Sequence, residues 1–335
     1  MREVRGMSLV PGSVAAVIAT GVAALLFPSF VAGQHRRHGE LRVGAAVLRF
    51  ATLLYAIAVA CYVLPPLGRT CYPAQLRPLF GLTTAVGLEQ FVCNIALFVP
   101  LGALLRRAPP VAALTGTGLS VFIEVTQLTG LWFRFPCPVR VFDVDDVIAN
   151  TAGAALGNLL APLLQRFPTG SARPADEPRP VTAGRRLLGM CCDGLLLMWL
   201  GLVWAQLSGI ALRWAEVAPP AGLQAGAAWL IPAAVVLAVT LRAGATPGQR
   251  LVLLRARAPD RRAVLWGWTL GAGGLALLQT CSVLLRGAPS AALGLLWCTA
   301  HALGVIWDRQ RGGISGRLAG LELTDARGPA AVRTP

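Results

Sequence analysis

The sequence predicts an all-α polytopic integral membrane protein with about nine transmembrane helices in two bundles, five followed by four. Hydrophobic residues make up 55% of the 335 residues and charged residues only 13%, and the mean hydropathy is +0.63. Apolar runs of about 20 residues, the length that crosses a bilayer as a helix, recur from end to end. The net charge of +15 comes from arginines, which lie in short connections where they set topology, so we expect no nucleic-acid partner.

The first predicted helix, about residues 10–32, is followed by a strongly basic connection. Its arginines are Arg36, Arg37, Arg42 and Arg49. They outnumber the two arginines before the helix, so the positive-inside rule places the N-terminus outside and this connection in the cytoplasm. His35 and His38 have the spacing of a metal pair, but no further ligand is near, and we interpret them as part of a solvated basic loop.

Eight further apolar runs follow the first one. The nine predicted segments are residues 10–32, 45–64, 88–105, 111–131, 143–164, 187–210, 226–241, 263–285 and 290–307. With the N-terminus outside, nine crossings place the C-terminus in the cytoplasm. We predict that the chain is a multi-pass protein of a bacterial plasma membrane. A Pro- and Arg-rich stretch after the fifth segment predicts a cytoplasmic linker. The predicted divisions are an N-terminal helix with its basic loop (1–42), a first membrane domain (43–164), the linker (165–184), a second membrane domain (185–324) and a disordered tail (325–335).

The densest group of ionisable residues lies around the junction of the fourth and fifth segments. Such groups cost free energy in hydrocarbon, so they indicate a functional site. The candidate ligand-binding residues are Asn94, Glu124, Gln127, Arg140, Asp143, Asp145, Asp146 and Asn150. Glu124 and Gln127 share one helix face, and we predict one outward-facing polar pocket. Helix capping explains one of the three aspartates, and an interfacial position is the alternative for Asn94.

Two further features bear on this region. Gly153 and Gly157 form a G-x-x-x-G pattern that allows another helix to approach closely. The eight cysteines form no C-x-x-C pair, and we predict neither a metal nor a cofactor. Cys71 and Cys137 fall on the predicted outer side, where a disulfide can form; two free loop thiols are the alternative.

Three sequence blocks in the first half carry a family resemblance. They are NIALFVPLGALL at residues 94–105, E-x-x-Q at Glu124 and Gln127, and R-x-F-D-x-D-D-x-x-x-N-x-x-G at residues 140–153. In their order and spacing, residues 43–164 resemble the VanZ-like membrane family. The resemblance implies an association with reduced susceptibility to glycopeptide antibiotics, especially the lipid-bearing teicoplanin type, but it supplies no mechanism.

The second half, residues 185–324, resembles the RDD membrane family, which is named for one arginine and two aspartates. The matching positions are Arg185 or Arg186 for the arginine, Asp193 for the first aspartate, and TPGQRL at residues 246–251. Where the family has His-Asp before R-L-A-G, this chain has Ser315 and Gly316, so the second aspartate is missing unless Asp308 takes its place. Some RDD proteins are thought to move ions, and the missing acidic group weakens that expectation. Asp193 has a second interpretation, as an anchor paired with the arginines at the inner boundary.

Three functions are compatible with these observations. The first is a non-enzymatic envelope protein whose acidic mouth contacts a cell-wall precursor, a lipid head group or the tail of a glycopeptide antibiotic, with membrane lipids as its other partners. The second is a membrane-embedded hydrolase or transferase in which Glu124 is a general acid and an aspartate holds a cation or a water. The third is a cation or proton transporter that uses Glu124 and Asp193. We favour the first because of the family resemblance and the outward placement of the acidic group.

Overall fold

The computed structural model describes residues 11–41, 43–63, 71, 73–105, 108–138, 140–165, 173–218, 221–285 and 290–328. It confirms the predicted class, an all-α polytopic membrane protein. Within these residues, six helical segments are long and apolar enough to cross a membrane. They are Val17–His38, Gly44–Cys61, Ala85–Leu105, Pro109–Leu128, Ala183–Trp214 and Gly222–Ala243. Two shorter apolar helices span Ala272–Leu284 and Ala291–Trp307.

The described residues form fourteen helices and four short strands. The helices of the first half are α1 (Pro11–His38), α2 (Val43–Val63), α3 (Ala85–Leu105), α4 (Pro109–Leu128), α5 (Gly130–Phe133), α6 (Val144–Asn158) and α7 (Ala161–Gln165). Those of the second half are α8 (Ala183–Trp214), α9 (Ala221–Ala243), α10 (Pro247–Leu251), α11 (Arg261–Thr269), α12 (Ala272–Leu284), α13 (Ser290–Trp307) and α14 (Gly313–Leu318). The strands are β1 (Ala74–Gln75), β2 (Phe142–Asp143), β3 (Leu254–Arg257) and β4 (Glu322–Asp325). β1 pairs with β2 in parallel, and β3 pairs with β4 antiparallel.

Two of the predicted transmembrane segments are interrupted. The fifth consists of α6 and α7, which are separated at residues 159–160. Pro162 follows this break, and proline in a continuous helix would remove a hydrogen bond and clash with the preceding turn. The eighth consists of α11 and α12, which are separated at Leu270 and Gly271; Gly271 has a non-helical φ/ψ of −110° and −110°.

The chain forms two compact units, and the first comprises residues 1–23 and 43–169. Its buried core contains Phe98 of α3, Ile123 of α4 and Ala154 of α6. The G-x-x-x-G prediction is confirmed, because Gly153 and Gly157 of α6 lie directly against the backbone of α3. Small residues at such a contact let two helix backbones approach closely.

Replacing Gly153 by Val tests this close approach. A Cβ atom at Gly153 would overlap the carbonyl group of Ile95, so α3 and α6 would have to separate. We expect the melting temperature of the detergent-solubilised chain to fall by roughly 5 °C or more. Gly118→Ala is the matched control, because a Cβ atom there has no neighbour within 4 Å. Equal melting temperatures for the two variants would contradict the packing described here.

The second unit comprises residues 24–42 and 170–335. One core cluster joins Val31 of α1, Cys192 of α8, Val252 and Leu254. Another joins Leu197 of α8 with Ala233 and Val236 of α9 and Ala276 of α12. The unit therefore includes the C-terminal part of α1 as well as the second half of the chain.

Asp325, the last residue of β4, connects several distant parts of this second unit. Its Oδ2 atom accepts hydrogen bonds from Arg185 Nη1 at 2.8 Å, Arg327 Nη2 at 2.7 Å and the Arg179 amide at 3.1 Å. Burial by itself raises the pKa of this carboxyl, but the hydrogen bonds from the arginines outweigh it and hold the pKa well below its usual range. Arg179 in turn forms an ion pair with Glu40. The network ties the end of α1 to α8 and β4.

These contacts correct three predictions. α1 continues through His38, so His35 is not in a solvated loop; it is 1% exposed, and its Nδ1 atom lies 2.9 Å from the Val31 carbonyl oxygen. The helix ends at Gly39, whose φ of +72° is typical of a helix C-terminus. Residues 173–181 of the predicted linker belong to the second unit through the buried Arg179.

The predicted tail is also ordered at its start, because Asp325 belongs to β4. Arg42 and residues 166–172 and 329–335 lie outside the described residues. The predicted domain boundaries otherwise stay predictions.

Candidate functional site

Glu124 lies on the buried face of α4 and is 2% exposed. Its Oε2 atom accepts a hydrogen bond of 3.1 Å from the backbone amide of Asp143, the residue just before α6. Asp143, Asp146 and Arg140 lie within electrostatic range of the Glu124 carboxyl group. We call these four residues, Glu124, Arg140, Asp143 and Asp146, the acidic cluster.

Asp143 caps the N-terminus of α6. Its Oδ1 atom accepts a hydrogen bond of 2.9 Å from the Asp145 amide, the arrangement that satisfies free amides at a helix start. The pairing of β1 with β2 places Gln75 opposite Asp143.

Asp145 is buried but does not face the acidic cluster's Glu124. Its two carboxylate oxygens accept hydrogen bonds from the backbone amides of Leu79 and Gly81, the latter at 3.0 Å. Leu79 has a φ of +61°, in the left-handed region that leucine seldom adopts. Asp145 therefore holds the loop that precedes α3, and its role is structural.

Asp146 is hydrogen-bonded to polar residues of α3. Asn94 Nδ2 donates to Asp146 Oδ1 at 2.5 Å, and Gln90 Nε2 lies 3.4 Å from the same oxygen. Gln90 and Asn94 share one face of α3, as their spacing predicts. The structure thus brings Asn94 to the acidic cluster instead of leaving it only at the membrane interface.

Asn150 and Gln127 lie on the buried faces of α6 and α4, at 4% exposure each. Asn150 Nδ2 donates a hydrogen bond of 2.8 Å to Ser120 Oγ. Its Oδ1 atom is buried and has no hydrogen-bond partner among the described residues. A buried acceptor of this kind normally has a partner, so a water or a ligand polar group fits this position.

A disulfide joins Cys71 to Cys137, with a Cα–Cα distance of 5.5 Å. Of the two alternatives left by the sequence, the structure has the paired one. The bond connects the segment before β1 to the segment before β2, next to the β1–β2 pairing. It therefore restrains the same loops that Asp145 and Asp143 hold by hydrogen bonds.

The segment after α4 has an unusual backbone. Gly130, Leu131, Trp132 and Phe133 all have φ values between +57° and +64°, so α5 is a left-handed turn that is costly for residues other than glycine. Trp132 and Phe133 are 57% and 83% exposed. Exposed aromatic residues are typical of the membrane–water interface. Of the four residues in this turn, only Gly130 adopts a positive φ without a steric cost.

The three aspartates of this region have different hydrogen-bond partners. Among the described residues, no three His, Cys, Asp or Glu side chains form a group that could hold a metal ion. Asp143, Asp145 and Asp146 instead have separate partners, which are a helix N-terminus, a loop backbone and the amide groups of α3.

Of the candidate residues of the second half, Arg186 and Asp193 line one cavity, whereas Arg185 and Asp308 have separate partners. Arg185 donates to Asp325 and to the carbonyl oxygens of Val252 and Leu253, at 2.8, 2.7 and 2.6 Å. Asp308 accepts a hydrogen bond of 3.0 Å from the Gly313 amide at the start of α14. The sequence analysis missed Asp325 as the partner of Arg185, since the two are 140 residues apart.

The two oxygens of Asp193 are also occupied. Oδ2 accepts from Thr246 Oγ1 and Oδ1 accepts from the Gly248 amide, both at 2.6 Å. Asp193 therefore holds the start of α10, which contains the T-P-G-Q-R-L block.

A comparison with known protein families covers part of the first half of the chain. Residues 50–165 match the family model described as VanZ/LLP1. This VanZ-like segment contains the whole acidic cluster, as well as Asn94, Gln127, Asp145 and Asn150. No curated protein and no solved structure matches the chain.

The structural role of Asp145 in the VanZ-like segment can be tested with Asp145→Asn. The change removes the charge on the acceptor of two backbone amides, and we expect about 2 kcal/mol of lost stability. Limited proteolysis should then cleave the chain faster within residues 73–84 and the melting temperature should fall. Glu89→Gln, which changes an exposed carboxylate of α3, is the control. If Asp145→Asn resists protease as well as the control does, the loop has another anchor.

Proposed function

We propose that the VanZ-like segment binds the polar part of a cell-envelope ligand at the acidic cluster. In this proposal it lowers susceptibility to lipid-bearing glycopeptide antibiotics, either by contacting the antibiotic or by contacting a cell-wall precursor or lipid head group. The observation that carries the proposal is the buried Glu124 carboxyl, which is held on the Asp143 amide beside Asp146 and Arg140. Such a group inside a membrane helix is costly, and its burial favours a functional role.

The chemistry of the cluster suits a ligand rich in hydrogen-bond donors. Carboxylates accept hydrogen bonds from hydroxyl, amide and ammonium groups, and Arg140 adds a positive charge for a ligand phosphate or carboxylate. Cell-wall precursors and glycopeptides both carry such groups. The unpartnered Asn150 Oδ1 atom offers one further acceptor deeper in the same unit.

Exposed aromatic residues next to the cluster in sequence support a lipid-bearing ligand. Trp132 and Phe133 present apolar rings at a turn, and aromatic residues of this kind are typical of the membrane–water interface. A ligand with a polar body and an acyl tail would place the body on the carboxylates and the tail along the aromatic surface.

The proposal also places the acidic cluster on the outer side of the bacterial plasma membrane, with the N-terminus outside and the C-terminus in the cytoplasm. The disulfide between Cys71 and Cys137 supports this side, because disulfides persist in oxidising compartments and are rare in the cytoplasm. The basic segment at the end of α1 supports the opposite, inner side for residues 35–49.

The orientation can be measured in a chain that retains only Cys71 and Cys137. In intact cells, a membrane-impermeant maleimide should label this chain only after treatment with an impermeant reductant. A cysteine-free chain with Arg255→Cys, on the exposed side of β3, should label only after permeabilisation. Labelling of Cys71 and Cys137 without reductant would contradict the disulfide, and labelling only after permeabilisation would reverse the topology.

The functional test compares teicoplanin and vancomycin susceptibility in a sensitive host. The host expresses the chain, its Glu124→Gln form or its Asp146→Asn form at matched membrane levels. We expect selective protection against teicoplanin, with a return to the susceptibility of the host in both variants because each loses a carboxylate charge of the cluster. The exposed Glu89→Gln form is the control and should protect fully.

Two outcomes would contradict the proposal. Protection by all the variants would separate the phenotype from the acidic cluster. If the unmodified chain gives no protection, the VanZ-like segment does not have the proposed function, and its similarity to the family concerns the fold alone.

The other two readings have less support. A metal-assisted hydrolase would need a cation site, and the aspartates near Glu124 are committed to separate partners. A transporter that uses Asp193 would need that carboxylate to be available, whereas both of its oxygens are hydrogen-bonded to the start of α10.

A further inference from the structure

A cavity of about 370 Å³ lies within the second unit. Residues of α8, α9 and α11 to α14 line it, and most of the lining side chains are apolar. They include Leu197, Trp268, Leu275 and Trp297. This volume falls in the range of small-molecule binding pockets, which are also mostly apolar with a few polar groups that orient the ligand.

Arg186 lines this cavity at the start of α8. Its Nε and Nη1 atoms are buried and have no hydrogen-bond partner among the described residues. Asp193 also lines the cavity, but Thr246 and the Gly248 amide already occupy its two oxygens at 2.6 Å. The Asp193 carboxylate interacts electrostatically with the Arg186 guanidinium, but neither Nε nor Nη1 is hydrogen-bonded to it.

Arg185, the residue before Arg186, has a guanidinium group whose nitrogens are hydrogen-bonded within this unit. Arg185 donates to two backbone carbonyl groups and to the Asp325 carboxylate, at distances between 2.6 and 2.8 Å. The two adjacent arginines therefore differ: Arg185 has acceptors for its guanidinium, whereas Nε and Nη1 of Arg186 have none among the described residues. Leaving buried donors of a charged group without acceptors costs free energy, so the structure around Arg186 fits an acceptor that the chain does not supply.

We propose that this cavity binds an anionic amphiphile, a phosphate or carboxylate head on an apolar chain, with Arg186 as the residue that binds the head. A guanidinium presents two parallel N–H groups that match the oxygens of a phosphate or carboxylate. The apolar walls around Trp268 and Trp297 receive the chain. A cavity of about 370 Å³ suits a single apolar chain.

The site is independent of the acidic cluster, since every lining residue belongs to the second unit. It also differs from a cation pathway, because the group whose nitrogens lack hydrogen-bond partners among the described residues is itself a cation. Neither the susceptibility phenotype nor the orientation of the chain enters the proposal.

Binding is measured by isothermal titration calorimetry on the purified full chain in a neutral detergent. The probes are dodecyl phosphate, laurate, dodecylphosphocholine and inorganic phosphate. We expect dodecyl phosphate or laurate to bind at least tenfold more tightly than dodecylphosphocholine, whose head has no net charge, and than inorganic phosphate, which lacks the chain. The stronger of the two anionic probes identifies the head group.

Two variants separate the head from the chain. Arg186→Gln should weaken binding of the anionic probe by about 10- to 100-fold, the effect of losing charge-assisted hydrogen bonds. Gly194→Leu should also weaken it, because Gly194 lines the cavity and a Cβ atom there meets no atom within 4 Å, so the new side chain occupies the space while Arg186 stays intact. Arg213→Gln, an exposed arginine at the other end of α8, is the control and should bind normally.

The melting temperature of each variant, measured without a probe, identifies a variant that fails to fold. If one of the two variants fails to fold, the binding affinity of the other variant tests the proposal. Binding that is unchanged in Arg186→Gln or in Gly194→Leu would overturn the proposal. Equal affinity for inorganic phosphate and dodecyl phosphate would overturn it as well, because the cavity would then hold a small anion only. Equal affinities for dodecylphosphocholine and for the anionic probes would also overturn the proposal, because the apolar chain and not the charge of the head would then determine binding.

Discussion

The first unit depends on how the Glu124 carboxyl is accommodated inside α4. A charged or strongly polar group in an apolar helix needs a hydrogen-bond partner from the protein. The partner is the backbone amide of Asp143, so the segment between α4 and α6 has to return to the α4 surface before α6 begins. The left-handed turn at Gly130–Phe133 and the disulfide from Cys137 lie on this returning segment. Both features restrain the backbone of the segment between α4 and α6.

The same constraint explains why three aspartates occur in four residues. Asp143 caps α6, Asp145 fixes the loop before α3, and Asp146 binds the amide side chains of α3. Two of the three thus build the scaffold that presents Glu124. The aspartate most free to change its partners is Asp146, since its hydrogen bonds come from side chains and not from backbone amides. Exchange of a side-chain amide for a ligand donor at Asp146 leaves the backbone in place.

Much of the fold follows from local patterns in the sequence. Length and hydropathy predict the long helices, and the G-x-x-x-G spacing predicts the close contact of α6, because both depend on neighbouring residues alone. Contacts between distant polar residues were not predictable in this way. Asp145 and Leu79 are 66 residues apart, and Asp325 and Arg185 are 140 apart. His35 and Arg179 were assigned to solvated segments because charge predicts exposure when the partner is unknown, and their partners become evident only in the folded unit.

The second unit shows that an acidic residue can be structural even in a region whose resemblance suggests ion movement. Arg185 is paired with Asp325, which lies beyond the R-L-A-G block, while Asp308 caps α14. A group that carries protons has to change its protonation near the working pH, whereas Asp325 is held ionised by the guanidinium groups of Arg185 and Arg327 and by the backbone amide of Arg179. With Asp193 fixed on α10 as well, the acidic groups at these positions serve the fold. Among the described residues of this unit, the Arg186 guanidinium is a charged group with two buried nitrogens that have no hydrogen-bond partner, so the unit's own chemistry favours an anion over a cation as its ligand.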